Sequence, residues 1–231
     1  MKTKIITILL AVMFLPVSQV QADLFFYSDT VIQEGDYYDT VVNVYDTPPD
    51  HTTVDMTGGF VHYLRSYDSS IINMNGGEIL TLETFNTSTA NISGGDVRSV
   101  FTWDNATTNL YDGGSVFSLG AGVSGTINMM GGTTEYLHAG GSCTFNLYGG
   151  IVKDSINAWD SATINIYGYG FDYDPSAGKH NGGLLTGFWF DDTTFTIDLY
   201  DPVTYDHINL VPEPSSLILF ALVCLFLRRK K

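Results

Sequence analysis

The sequence predicts an all-β fold: a single-stranded parallel β-helix (β-solenoid) of about seven 18-residue coils, with N- and C-terminal caps. Three observations carry this. Glycine doublets begin at Gly58, Gly76, Gly94, Gly113, Gly131 and Gly149, spaced 18, 18, 19, 18 and 18 residues apart, and Gly168 follows 19 further on. Apolar-polar-apolar triplets precede the doublets, as in Ile72-Asn73-Met74 and Phe145-Asn146-Leu147, and such alternation is the mark of a strand. A period this short excludes a βαβ unit or a four-stranded propeller blade and suits one turn of a β-helix. The lack of a strict hexapeptide repeat within each coil favours a right-handed over a left-handed helix.

In such a fold each repeat position becomes a column, with neighbours about 4.8 Å apart. Asn73, Asn91, Asn109, Asn128, Asn146 and Asn165 form one column, whose amides can bond along the stack. Met56, Met74, Ile92, Leu110, Met129, Leu147 and Ile166 form a core column, and Val61, Ile79, Val97, Val116 and Val152 a second. Cys143 shares its position with Ser70, Ser88, Ala106, Gly125 and Ala162, so a small buried residue is expected there, not a nucleophile.

Residues 1–22 carry Lys2 and Lys4, an apolar run from Ile5 to Val17 and the small-residue site Val20-Gln21-Ala22, the three regions of a secretory signal peptide. Residues 23–46 precede the repeat register and are expected to cap the first coil. The repeats occupy 47–170. Residues 171–210 depart from the repeat: a polar loop from Asp172 to Gly183, then two strands between Leu184 and Leu199, form a C-terminal cap, and Asp201 to Leu210 a short linker.

Residues 211–231 comprise Pro212-Glu213-Pro214, an apolar run from Leu217 to Leu227, and Arg228-Arg229-Lys230-Lys231. The run is short for the roughly 30 Å hydrocarbon core, so it suits a transient anchor with its basic end cytoplasmic. This end resembles the PEP-CTERM sorting signal, with Pro212, Glu213 and Pro214 as its motif and Arg228 and Arg229 in its basic cluster. The resemblance implies processing by an exosortase, a membrane cysteine transpeptidase of Gram-negative bacteria that export exopolysaccharide. The segment Ile164-Asn165-Ile166-Tyr167-Gly168-Tyr169-Gly170-Phe171, with Leu184-Leu185-Thr186-Gly187 and Phe195-Thr196-Ile197-Asp198-Leu199, is similar to the closing segment of solenoid-type PEP-CTERM proteins of planctomycetes. Those likenesses imply secretion through the inner membrane to the envelope or extracellular matrix, and they assign no catalytic residue.

Between residues 23 and 210 the basic residues are Arg65, Arg98, Lys153 and Lys179 against 24 acids, a formal charge of −20. Such a surface excludes nucleic acid as a partner. It also leaves no basic cluster for a polysaccharide lyase. A glycoside hydrolase needs two carboxylates on one groove, and the column Asp50, Asp68, Asn86, Asp104 and Asp160, broken by Val123 and Gly141, is where they would sit. Nothing in the repeat marks one specialised pair, and the expected protein is not an enzyme. Calcium, the one cofactor considered, could bridge Asp50, Asp68 and Asp104, or sit at Asp172 and Asp174, but turn residues facing water are the favoured reading of these acids. Tyr67, Phe85, Trp103 and Trp159 share the preceding column, with Gly122 and Gly140 between them. Facing outward they would stack on sugar rings; facing inward they are core at a widened corner, which the strand preference of aromatics favours. The five histidines share no repeat position, which argues against a built metal site.

The sequence therefore leads to an exported structural or adhesion protein contacting exopolysaccharide, with a polysaccharide lyase or glycoside hydrolase, or a calcium-stiffened self-associating surface protein, as alternatives.

Overall fold

The computed structural model describes residues 22–48 and 51–212. They form a β-solenoid of about eight turns. Strands β1 (Leu24–Phe26), β2 (Thr30–Ile32) and β3 (Tyr37–Val44) open the chain, and β4 (Thr53–Ser66), β5 (Ile71–Thr84) and β6 (Thr89–Thr102) each run most of the way round a coil. The next three coils are each two strands: β7 (Thr107–Leu110) with β8 (Ser115–Ala121), β9 (Thr126–Met129) with β10 (Thr133–Ala139), and β11 (Thr144–Leu147) with β12 (Ile151–Ala158). All pair in parallel with the coil before, in the register the columns require: Asp55 faces Asn73, and Asn73 faces Asn91.

The glycine doublets are the corners. Gly77 has φ 87°, and a Cβ there would stand 2.6 Å from the Gly58 carbonyl oxygen of the coil below. The corner needs both a left-handed residue and backbone stacked on backbone, and only glycine offers both. A second bend lies between Val61 and Leu64, both fully buried although three residues apart, so the inward alternation breaks step and the coil turns again.

The two predicted apolar columns face inward and are buried throughout, joined by a third of Leu64, Leu82, Val100, Leu119, Leu137 and Ile156. Each such side chain contributes about 1.5–3 kcal/mol through burial. Cys143 lies fully buried among them, and burial pushes its thiol up to about 11.

The asparagine column faces outward and is half-buried. Each Nδ2–H donates to the Oδ1 of the preceding coil, from Asn91 on Asn73 at 2.9 Å to Asn165 on Asn146 at 2.9 Å. The ladder starts at Asp55, an acceptor-only carboxylate that takes the Asn73 amide at 2.9 Å, and so ends the polarised chain of amides cleanly.

The C-terminal end holds the two strands expected between Leu184 and Leu199, and both ends pair with the solenoid. Residues 23–46 run in register as coil: β1 pairs with β3, and β2 and β3 both pair with β4. At the other end β13 (Thr163–Asp174) leaves the solenoid and pairs antiparallel with β14 (Leu184–Phe188), which pairs with β15 (Thr194–Asp198). This hairpin buries Leu185, Trp189, Phe195 and Ile197 against the last coils. A 3-10 helix, Pro202–His207, then leads into β16 (Ile208–Pro212), which pairs in parallel with β13. Residues 208–212 are thus a rung of the solenoid and not a linker, because Ile208-Asn209-Leu210 repeats the apolar-Asn-apolar triplet after an insertion. Among the described residues no helix is long and apolar enough to cross a membrane.

Candidate functional site

The acidic column is a turn column. Asp68, Asn86, Asp104 and Asp160 have φ between 53° and 61°, the left-handed region that Asp and Asn tolerate best among residues with a side chain. Their oxygens bind the stack below: Asn86 Oδ1 accepts the Asp68 N–H at 3.1 Å, Asp104 Oδ2 the Asn86 N–H at 3.2 Å, and Asp160 Oδ2 the Gly141 N–H at 3.3 Å. Asp50 lies outside the described residues. In the polar loop, Asp174 Oδ1 accepts from the Ser176 N–H and hydroxyl at 2.8 and 2.6 Å, bonds that hold its carboxyl below the ordinary range, while Asp172 is exposed on β13. Among the described residues no group of three or more His, Cys, Asp or Glu is placed to hold a metal ion.

The aromatic column faces outward, which corrects the inward packing favoured from sequence. The inner side of this corner is closed by the small buried columns Ser66, Thr84, Thr102, Ala121 and Ser70, Ser88, Ala106, Gly125, which leave no room for a ring. Tyr67 instead stacks between Tyr45, at 4.6 Å and 5°, and Phe85, at 5.0 Å and 8°.

Beyond Trp103 the stack is interrupted for two coils by Gly122 and Gly140, and resumes at Trp159. The two indoles close in on the gap. A Cβ at Gly122 would meet the Trp103 ring at 2.5 Å, and one at Gly140 would meet the Trp159 ring at 2.7 Å. Between them is a slot of about 230 Å3 lined by Phe101, Trp103, Val123, His138, Trp159 and the glycine-alanine backbone of both coils. No lining side chain carries a formal charge at neutral pH, since burial lowers the His138 pKa from its usual value. The Trp103 Nε1–H is out of water with no acceptor among the described residues.

His138 also lines a second, polar depression of about 460 Å3, with Tyr136, Asp154, Ser155, Asn157, His180 and Tyr200. One extra residue in β12 builds it. Thr134 faces Val152 but Tyr136 faces Ser155, and the bulge so formed turns Asp154 toward the inserted loop. There the His180 Nε2–H donates to Asp154 Oδ2 at 3.0 Å, and Lys179 Nζ donates to the Lys153 carbonyl at 3.1 Å and reaches Asp154 Oδ1 at 3.5 Å. The hydrogen bond from His180 and the charge of Lys179 lower the Asp154 pKa.

Slot and depression adjoin at His138, which lines both, with aromatic rings on one side of it and hydrogen-bonding groups on the other. Among the described residues, Asp154 is the only carboxylate lining either part, and the two together offer aromatic rings and polar contacts. Of the residues singled out from sequence, Trp103 and Trp159 belong to the slot, whereas Tyr67 and Phe85 are stacked on one another away from it. Asp154, His138, His180, Tyr136 and Tyr200 carried no repeat signal. Glu213, Pro214, Arg228 and Arg229 lie outside the described residues, and Pro212 is the exposed last residue of β16.

No protein-family model matches this chain, and neither a curated protein nor a solved structure matches it.

Proposed function

We propose that this chain is an exported, non-enzymatic β-solenoid of the cell envelope or extracellular matrix that contacts exopolysaccharide. In this reading the C-terminal segment anchors it transiently in the membrane until an exosortase processes it at Pro212-Glu213-Pro214, leaving the rod displayed outside. The observation that carries the proposal is the adjoining slot and depression: aromatic rings beside hydrogen-bonding side chains, meeting at His138, suit a chain of sugar rings held without being cut. The −20 charge of residues 23–210 keeps such a rod soluble among polymers and away from nucleic acid.

Fractionation of the cells that encode the chain tests this. The chain should accompany the exopolysaccharide, leave the cells when that polymer is stripped, and stay in the membrane fraction when Pro212, Glu213 and Pro214 are replaced by alanine. A chain that remains in the cytoplasm, or one indifferent both to stripping and to the motif, contradicts the proposal.

A further inference from the structure

We propose that the slot between Trp103 and Trp159 is a subsite for one uncharged pyranose ring of a glycan that continues across His138 onto Asn157, Asp154 and His180. This rests on the polysaccharide reading above and names the sugar class that the slot takes.

The first argument is the gap itself. Residues before the left-handed turn are aromatic on three coils in a row, Tyr67, Phe85 and Trp103, with Tyr45 stacked on Tyr67 in the coil before, and again at Trp159. Only the two coils between carry glycine, and the indoles on either side settle against that bare backbone. With the indoles laid over the two glycines, the space left beside them is lined by Phe101, Val123 and His138 and has the size of one flat ring. At about 230 Å3 it falls below the roughly 300–1,000 Å3 of sites for whole drug-sized ligands, which fits a single ring of a longer molecule.

The second argument is strain. Val123 holds φ 54° in the turn column where every other described coil from Asp68 to Asp160 has Asp, Asn or Gly. A β-branched residue is a poor fit to that region, and such outliers persist where function holds them. Val123 is also 55 % exposed and lines the slot. A strained, exposed valine is a costly choice for a plain turn and a useful one for the apolar lip of a binding site.

The third argument is charge and hydrogen bonding. The slot has no Arg or Lys to meet a uronate, and the acidic rod around it repels one. It also has no carboxylate to balance a quaternary ammonium, the other guest that aromatic walls accept. An uncharged sugar needs neither, and it brings hydroxyls for the hydrogen-bonding groups of the depression.

The test uses the full chain on immobilised neutral glycans (dextran, amylose and a β-glucan) and acidic ones (alginate and polygalacturonate), with thermal unfolding of every variant. Wild type should be retained by at least one neutral glycan and by neither acidic one. Trp159→Ala, at a ring 43 % exposed and therefore safe for folding, should weaken retention about tenfold, whereas Tyr67→Ala in the stacked part of the column should leave it within about twofold. Val123→Asn should bind more weakly while unfolding at a higher temperature, a pairing that simple structural damage does not produce. Retention that survives Trp159→Ala overturns the slot and leaves the polysaccharide reading standing. Retention of acidic glycans only overturns the assignment to uncharged sugar. If no glycan retains wild type, both fall, and quenching of the indoles by tetramethylammonium without any sugar effect gives the slot to a cation.

Discussion

The Asn209 amide donates to Asn165 Oδ1 at 3.1 Å, across 44 residues of sequence. A bond that spans 18 or 19 residues elsewhere in the ladder is here made after the chain has left the solenoid, formed a hairpin and returned. The ladder thus runs from an acceptor-only start at Asp55 to Asn209, with every amide pointing the same way.

That polarity makes the ladder sensitive to substitution inside it and indifferent at its start. Asn128→Ala removes two side-chain bonds and should lower stability by about 1–3 kcal/mol in denaturant unfolding. Asn128→Asp should cost more, since its carboxylate would face the Asn109 oxygen. Asp55→Asn should be neutral within about 0.5 kcal/mol, because no amide precedes it.

Val123 should be a stability optimum left unused. Val123→Gly removes the side chain from a left-handed position and should stabilise by about 1 kcal/mol, read as a higher unfolding midpoint. Asp104→Val, which recreates the strain one coil earlier, should destabilise by a similar amount and also lose the bond to the Asn86 N–H.

Docking of the inserted loop depends on the Asp154 charge. The folded pKa of Asp154 is depressed by His180 and Lys179, so its contribution is complete above the ordinary carboxylate value of about 3.9 and is lost as pH falls through the lower folded value. Hydrogen exchange of residues 175–183 should lose protection below about pH 4. Asp154→Asn should remove that acid-side step. His138 behaves in the same sense: burial favours its neutral form, and that contribution, present above about pH 6.5, is lost as pH falls through its lowered value.

Cys143 should be silent toward thiol reagents in the native chain. Fully buried, with its thiol pushed up to about 11, it should stay unlabelled by iodoacetamide at pH 8 in peptide mapping and react once denatured. Cys143→Ala should cost about 1–2 kcal/mol, and Cys143→Phe should prevent folding, as the column holds only small residues.

The solenoid was legible because its period is regular: the columns of Asn146, Leu147 and Val152 can be counted from the glycine doublets alone. Asn209 escaped because the 171–207 insertion breaks the count, although its triplet is intact. The direction of Trp103 and Trp159 escaped because strand preference does not say which side of a corner is closed, and the small residues flanking the turn do. The slot and depression were largely hidden for a related reason, being made where the repeat is violated. Gly122, Gly140 and Val123 interrupt two columns, Asp154 comes from a one-residue bulge, and His180 from the insertion. By period alone the first three are gaps and the last two have no register, and the fold brings them together around His138.

The most direct measurement is incubation of the full chain with a neutral polysaccharide while following both retention and newly released reducing ends. Retention with no release over hours is the predicted result, with the polymer bound at the slot and depression and left intact. Release of reducing ends would contradict the account and make the chain an enzyme, with Asp154 and His180 the first residues to replace.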